Sequence, residues 1–150
     1  MSGLDALYQE LILDHSKRRV GFGLAPEGEG LASASSHQRN PICGDEITLR
    51  VRVQGDVVHD VTWEGAGCAI SQSSASMLAS LVAEEGGMGR AEASVLVDGF
   101  RAALRSRGTV ELDEEVYSDA AALSGVSKYT ARVKCAMLAW VAFEDALSRA

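Results

Sequence analysis

From Ile47 to Trp63 the chain carries a pattern that few folds accommodate. Ile47, Leu49, Val51 and Val53 alternate with Thr48, Arg50 and Arg52, the two-residue period of a strand with one buried face. Gln54-Gly55-Asp56 supplies a turn, and Val57, Val58, Val61 and Trp63 supply a second strand, so the segment reads as an antiparallel hairpin. Its apolar face needs cover, and the flanking sequence offers helices.

Leu4, Leu7, Tyr8, Leu11 and Ile12 recur at helical spacing and predict an amphipathic first helix ending near His15. Lys17-Arg18-Arg19 follows, where cations complement the helix dipole. Glycines and Pro26 make residues 21–36 a loop that enters a short strand around Leu31–Ser36. After the hairpin, Gly65 and Gly67 end the strand. A helix is expected from Ala69 to Glu84, with Ile70, Ser74, Met77, Leu78, Leu81 and Val82 on one side. Gly86, Gly87 and Gly89 break it before a third helix, Ala91 to Arg107. From Gly108 to Gly125 the pattern weakens into an acidic connector with one short helix at Ser118–Leu123. Thr130 is expected to cap a last helix, Ala131 to Ser148. The sum is α+β: one domain over residues 1–150, with a small antiparallel sheet of about three strands covered by helices.

Composition narrows the partners. Of 150 residues, 47% are hydrophobic and 23% charged, which is globular composition. A formal charge of −7 with scattered cations argues against nucleic acid, whose phosphates need a basic face. No apolar run approaches the roughly 18 residues of a membrane span, and Asp5 and Glu10 among the early apolar positions do not suit a signal peptide. Three cysteines form no regular disulfide framework, so a reducing cytoplasm is the expected setting.

Those cysteines, Cys43, Cys68 and Cys135, carry the chemical signal. In an extended Cys43-Gly44-Asp45 segment the thiol and the carboxylate would project to one side and could grip one ion. Pro41 holds Asn40 out of helical conformation. Cys68 follows Gly-Ala-Gly at the predicted start of a helix, where partial positive charge favours thiolate. Cys135 falls about one turn into the last helix, with Arg132 on the same face and Lys134 adjacent. Three thiolates and a carboxylate make a four-ligand set that zinc accepts, and the same softness suits iron–sulfur clusters and copper(I). Against this stands the plain reading of cysteine as a small buried hydrophobe. His15, His37 and His59 read as surface or packing residues, and Trp63, Trp140 and Phe143 as core or interface.

Asn-Pro-Ile-Cys-Gly-Asp at 40–45, Gly-Ala-Gly-Cys-Ala-Ile-Ser at 65–71 and Arg-Val-Lys-Cys-Ala-Met-Leu-Ala-Trp at 132–140 resemble the three cysteine motifs of the IscU/NifU-type iron–sulfur cluster assembly proteins. The opening Leu-Tyr-Gln-Glu-Leu-Ile-Leu-Asp-His resembles the first helix of the SufU branch, so the likeness spans nearly the whole chain. Lys134 stands where IscU proteins have histidine. Ser127-Lys128-Tyr129-Thr130 replaces their Leu-Pro-Pro-Val-Lys chaperone segment, and residues 86–125 look like the SufU insertion. These features favour the SufU branch over IscU-style, chaperone-dependent delivery.

The resemblance implies a SufU/IscU-like fold and zinc held by Cys43, Asp45, Cys68 and Cys135. It also implies sulfur accepted from a SufS-like cysteine desulfurase, with downstream cluster-assembly proteins as receivers. In the family picture a partner histidine replaces the first cysteine at zinc, which frees Cys43 for the persulfide sulfur, and Arg132 steadies the anionic sulfur. The chain would then be sulfurtransferase-like rather than a stand-alone enzyme. The alternative is a scaffold that transiently assembles a [2Fe–2S] cluster on the same cysteines. The acidic stretch Glu111-Leu112-Asp113-Glu114-Glu115 reads as a solvated connector. Neutralising its carboxylates is expected to leave stimulation of desulfurase turnover intact, which a turnover assay with the substituted protein would check.

Overall fold

The computed structural model describes all residues except Met1, Ser2, Glu29, Cys43 and Glu85; of residues 3–5 it describes the backbone only. Helix α1 (Gly3–Arg18) leads through a glycine-rich loop into strands β1 (Ala32–Arg39), β2 (Glu46–Gln54) and β3 (Val57–Ala66). Helix α2 (Ala69–Glu84), a two-residue strand β4 (Met88–Gly89), helix α3 (Arg90–Leu104) and helix α4 (Glu114–Tyr117) follow. A 3₁₀ run (Ser118–Lys128) then joins helix α5 (Thr130–Arg149). The strands form one antiparallel sheet in the order β1-β2-β3-β4. The sheet therefore has four strands rather than about three, and β1 is a full partner to β2 from Ala32↔Val53 to Arg39↔Glu46.

The hairpin follows the alternation in β2, where Ile47, Leu49, Val51 and Val53 are all buried. In β3 the phase breaks. Val58, Val61 and Trp63 are buried although 58 and 61 are an odd number of residues apart. A register shift at Arg52/Val53 makes His59 an extra residue, so Val53 pairs with Val58 while Arg52 pairs with Asp60. This bulge resets which residues face inward, and Val57 is left 47% exposed.

Helices cover the apolar face. α2 lies against β3 with α1 on one flank and α5 on the other, so it is buried almost all round, serines included. Its small residues satisfy themselves across helices. Ser74 Oγ donates to Ala136 O at 2.6 Å and accepts from Trp140 Nε1 at 3.1 Å. Trp140 stacks on Phe100 at 4.0 Å between ring centres, which locks α3 to α5.

α1 runs three residues beyond the expected His15, and its buried stripe differs from the sequence reading. Leu7 is 49% exposed, while Tyr8, Leu11 and Ile12 pack on the core and His15 is wholly buried; the side chain of Leu4 lies outside the described residues. His15 is held from both ring nitrogens, at 2.8 Å to Ser76 Oγ and 2.8 Å to Asp119 Oδ2. Val20 N also donates to Ser76 Oγ, and Arg18 Nη2 lies 3.2 Å from Nε2. One side chain thereby ties α1, α2 and the 3₁₀ run.

The region from Gly108 to Lys128 is more structured than an acidic connector. Leu112, Tyr117 and Leu123 are buried, and the 3₁₀ run packs against α1, α2 and α5. Glu111, Asp113, Glu114 and Glu115 stay exposed, and Asp113 caps α4 by accepting from Glu115 N. Tyr8 Oη donates to Glu114 Oε1 at 2.6 Å. Giving up that bonded proton to an anionic neighbour is unfavourable, so the Tyr8 phenol is pushed up to about 12. α5 starts at Thr130, with Tyr129 rather than Thr130 in the capping position.

His15→Ala should lower unfolding free energy by about 2–4 kcal/mol, from the cavity and the lost pair of buried hydrogen bonds. A urea-unfolding midpoint close to wild type would contradict the bracing role.

Candidate metal centre

β2 and β3 pair from Glu46↔Ala66 onward, so the segment before Glu46 and the segment after Ala66 emerge side by side at one rim of the sheet. The first is a closed loop. Asn40 N donates to Asp45 O at 2.8 Å, Gly44 N to Asn40 O at 2.8 Å, and Ile42 N to Asn40 Oδ1 at 3.1 Å. Gly44 has φ +76, a left-handed conformation that favours glycine. Gly44 thus takes a turn conformation and not the extended one expected at this position. Cys43 itself lies outside the described residues.

The turn aims Asp45 inward, where it is 2% exposed. Its Oδ1 accepts from Cys68 N at 3.0 Å and its Oδ2 from the Cys68 thiol at 3.4 Å. Cys68 directly precedes α2, as the sequence predicts, and its carbonyl is held by Gln72 N at 3.1 Å and Ser71 Oγ at 3.1 Å. Gly67 makes this approach feasible, since a Cβ there would sit 2.5 Å from Ser71 Oγ and 2.6 Å from Asp45 Oδ1. Cys135, 3% exposed, comes in from the second turn of α5. One ligand atom from each of Asp45, Cys68 and Cys135 lies within 4.8 Å of the others.

This donor set suits a soft-to-borderline dication. With Zn–S near 2.3 Å and Zn–O near 2.0 Å, tetrahedral geometry places sulfur and oxygen about 3.5 Å apart and two sulfurs about 3.8 Å apart. The 3.4 Å between Cys68 Sγ and Asp45 Oδ2 matches the first spacing, and a modest contraction brings Cys135 into range. Cys68 and Cys135 are free of disulfides.

The other sequence candidates are placed elsewhere. Arg132 is exposed and lines a groove of about 890 Å³ with Tyr8, Ile12, Ile70 and Tyr129; among the described residues its side chain makes no ion pair. Lys134 is exposed on the opposite flank of α5. His37 and His59 are exposed on strands, beside Glu46 and Asp60. The Ser76–His15–Asp119 arrangement has the order of a hydrolytic triad, but Ser76 is wholly buried and no substrate reaches it. Trp63, Trp140 and Phe143 are core. Asn40, Gly67 and Ser71 hold the centre together and were not singled out for that role from sequence. The hairpin pairing was the available signal, because it brings residues 45 and 66 to the same rim.

A four-stranded antiparallel sheet under helices, with a carboxylate and two thiols converging at its rim, defines a small α+β fold with a donor group that could hold a metal ion. Residues 7–136 match the model of the NifU-like N-terminal domain. The zinc-dependent sulfurtransferase SufU of Bacillus subtilis (strain 168) is 35% identical, covering 99% of this chain and 94% of the relative. The iron–sulfur cluster assembly scaffold protein IscU of Streptococcus pyogenes serotype M1 is 34% identical over 99% of this chain and 87% of its own length. A solved structure named as an iron–sulfur cluster assembly scaffold protein for the SUF system, from Fervidobacterium islandicum AW-1, superposes with a TM-score of 0.74 at 32% identity, covering 97% of this chain and 99% of that one. The chain belongs to the NifU-like N-terminal domain family, among the IscU/NifU-type iron–sulfur cluster assembly proteins with a SufU-like sequence throughout. None of its helices is long and apolar enough to cross a membrane among the described residues.

Gly67→Ala should displace Asp45 from Cys68 and weaken zinc binding on the order of 10–100-fold, as loss of groups that orient ligands does. Competition with a chromophoric chelator would measure it, and undiminished affinity in a folded variant would contradict this account of the centre.

Proposed function

We propose that this chain is a zinc-dependent sulfur acceptor and transfer protein. It takes persulfide sulfur from a SufS-like cysteine desulfurase and hands it to downstream cluster-assembly proteins. The observation that supports this best is the grouping of Asp45, Cys68 and Cys135 within 4.8 Å, in a chain related along its full length to a protein named a zinc-dependent sulfurtransferase.

Cys43, Asp45, Cys68 and Cys135 would hold the ion, and zinc bound there would supply the positive charge that keeps the cysteines as thiolates. Cys43 is the acceptor. Its thiolate attacks the outer sulfur of the donor persulfide; a new S–S bond forms as the donor's S–S bond breaks, and the donor cysteine leaves as thiolate. One S–S bond replaces another, so no oxidant or reductant is consumed. The anchored ends of the 40–45 loop fix the backbone on either side of Cys43. Arg132, on the exposed face of α5, supplies a cation for the anionic sulfur during transfer. The chain works as a partner to the desulfurase and not as an enzyme on its own.

A second reading, transient assembly of a [2Fe–2S] cluster on the same cysteines, is favoured by the relatives named as IscU scaffolds. Anaerobic reconstitution separates the two: a stable visible-absorbing cluster with readily displaced zinc supports the scaffold.

Cys43→Ala should remain folded and cease to stimulate desulfurase turnover, and mass spectrometry should find no added sulfur at that position. A Cys43→Ala protein that accelerates the desulfurase like wild type would sink the acceptor role. Unfolding of the same variant would point instead to a purely structural zinc site.

A further inference from the structure

With 21 acidic and 14 basic side chains, this chain has carboxylates to spare, yet one groove gathers cations and no carboxylate. It is a trough of about 550 Å³ between the 40–42 loop, the end of α3 with the residues after it, and the first half of α5. Five cations line it: Arg39, Arg101, Arg105, Arg107 and Lys134. Leu104, Val133 and Met137 contribute apolar surface. Arg101 is engaged by Glu144 at 2.6 Å. Arg39, Arg105, Arg107 and Lys134 are exposed and make no ion pair among the described residues.

Gathering uncompensated like charges costs folding energy through mutual repulsion, and on an acidic protein the arrangement selects for what it attracts. Apolar surface among cations, drawn from a loop and two helices, suits an amphipathic anionic segment. Ile42, 79% exposed, stands at one edge. Position matters as much as charge. Ile42 and Lys134, which line the groove, each stand one residue in sequence before a cysteine, and the groove shares no lining residue with the one that holds Arg132.

We propose that this groove docks an acidic, amphipathic segment of the sulfur-donating desulfurase, an inference that rests on the sulfur-acceptor reading above. Electrostatic complementarity of this kind acts mainly on encounter and orientation, so it should set how much of this chain half-saturates the desulfurase and make that quantity depend on salt.

The test uses the full chain as wild type, R105E/R107E, R105K/R107K and K17E/R149E, the last reversing as many charges away from the groove. Direct binding to the desulfurase is measured by calorimetry alongside turnover, with circular dichroism to check folding. R105E/R107E should weaken binding and raise the half-saturating concentration on the order of ten-fold, while R105K/R107K and K17E/R149E stay within about two-fold. Added salt should weaken wild type more than R105E/R107E. Wild-type affinity in folded R105E/R107E, equal weakening by K17E/R149E, or no binding by wild type would each overturn the docking site. Groove-dependent binding without sulfur transfer to Cys43 would instead overturn the acceptor reading and leave the groove standing.

Discussion

The structure turns on a buried carboxylate. Asp45 is almost fully removed from water, which is costly for such a group unless its oxygens are met by donors. Cys68 meets both, one with its backbone N–H and one with its thiol. That pair of bonds joins the turn before β2 to the residue that opens α2. Ser74, two turns along α2, then reaches the carbonyl of Ala136, the neighbour of Cys135. The three grouped residues are therefore joined by a continuous chain of hydrogen bonds and helix backbone, although 90 residues of sequence separate Asp45 from Cys135.

Much of this was legible in the sequence because it rests on local patterns. The β2 alternation, the extent of α2 and the place of Cys68 at its start follow from periodicity and glycine punctuation. What escaped was set by tertiary contact. The β3 bulge at His59 cancels strict alternation, and the fourth strand, Met88–Gly89, is two residues long and exists only because β3 offers it an edge. His15 looked like a helix end because nothing local announces partners 61 and 104 residues away. Gly44 departs from the extended form expected of it for a local reason, its left-handed conformation, which a glycine permits and does not require.

The centre was legible to a different degree. Residue types and motif order pointed to a carboxylate and two thiols that lie together in the fold, but the groups that hold them were silent. Asn40, Gly67 and Ser71 act through a loop closure, a missing Cβ and a carbonyl contact. None of these has a signature until the chain is folded. The insertion between α3 and α5 was weak in pattern for a related reason. Its buried alanines and Leu123 fill space between three helices without an amphipathic repeat of their own.

Arg90 gives the last helix an unusual mooring. Its guanidinium donates to Gly55 O in the β2–β3 turn and to the carbonyls of Leu147 and Ala150 at the distal end of α5. From Leu147 back to Cys135 a helix spans about 18 Å. Over such a lever, a tilt of about 5° at the moored end swings the opposite end by roughly 1.5 Å, comparable to the contraction that would bring the Cys135 sulfur to ligand distance. Arg90 thus adds a fastening at the far end of α5 to the one that Ser74 makes beside Cys135, so that the helix is held against tilting at two separated points.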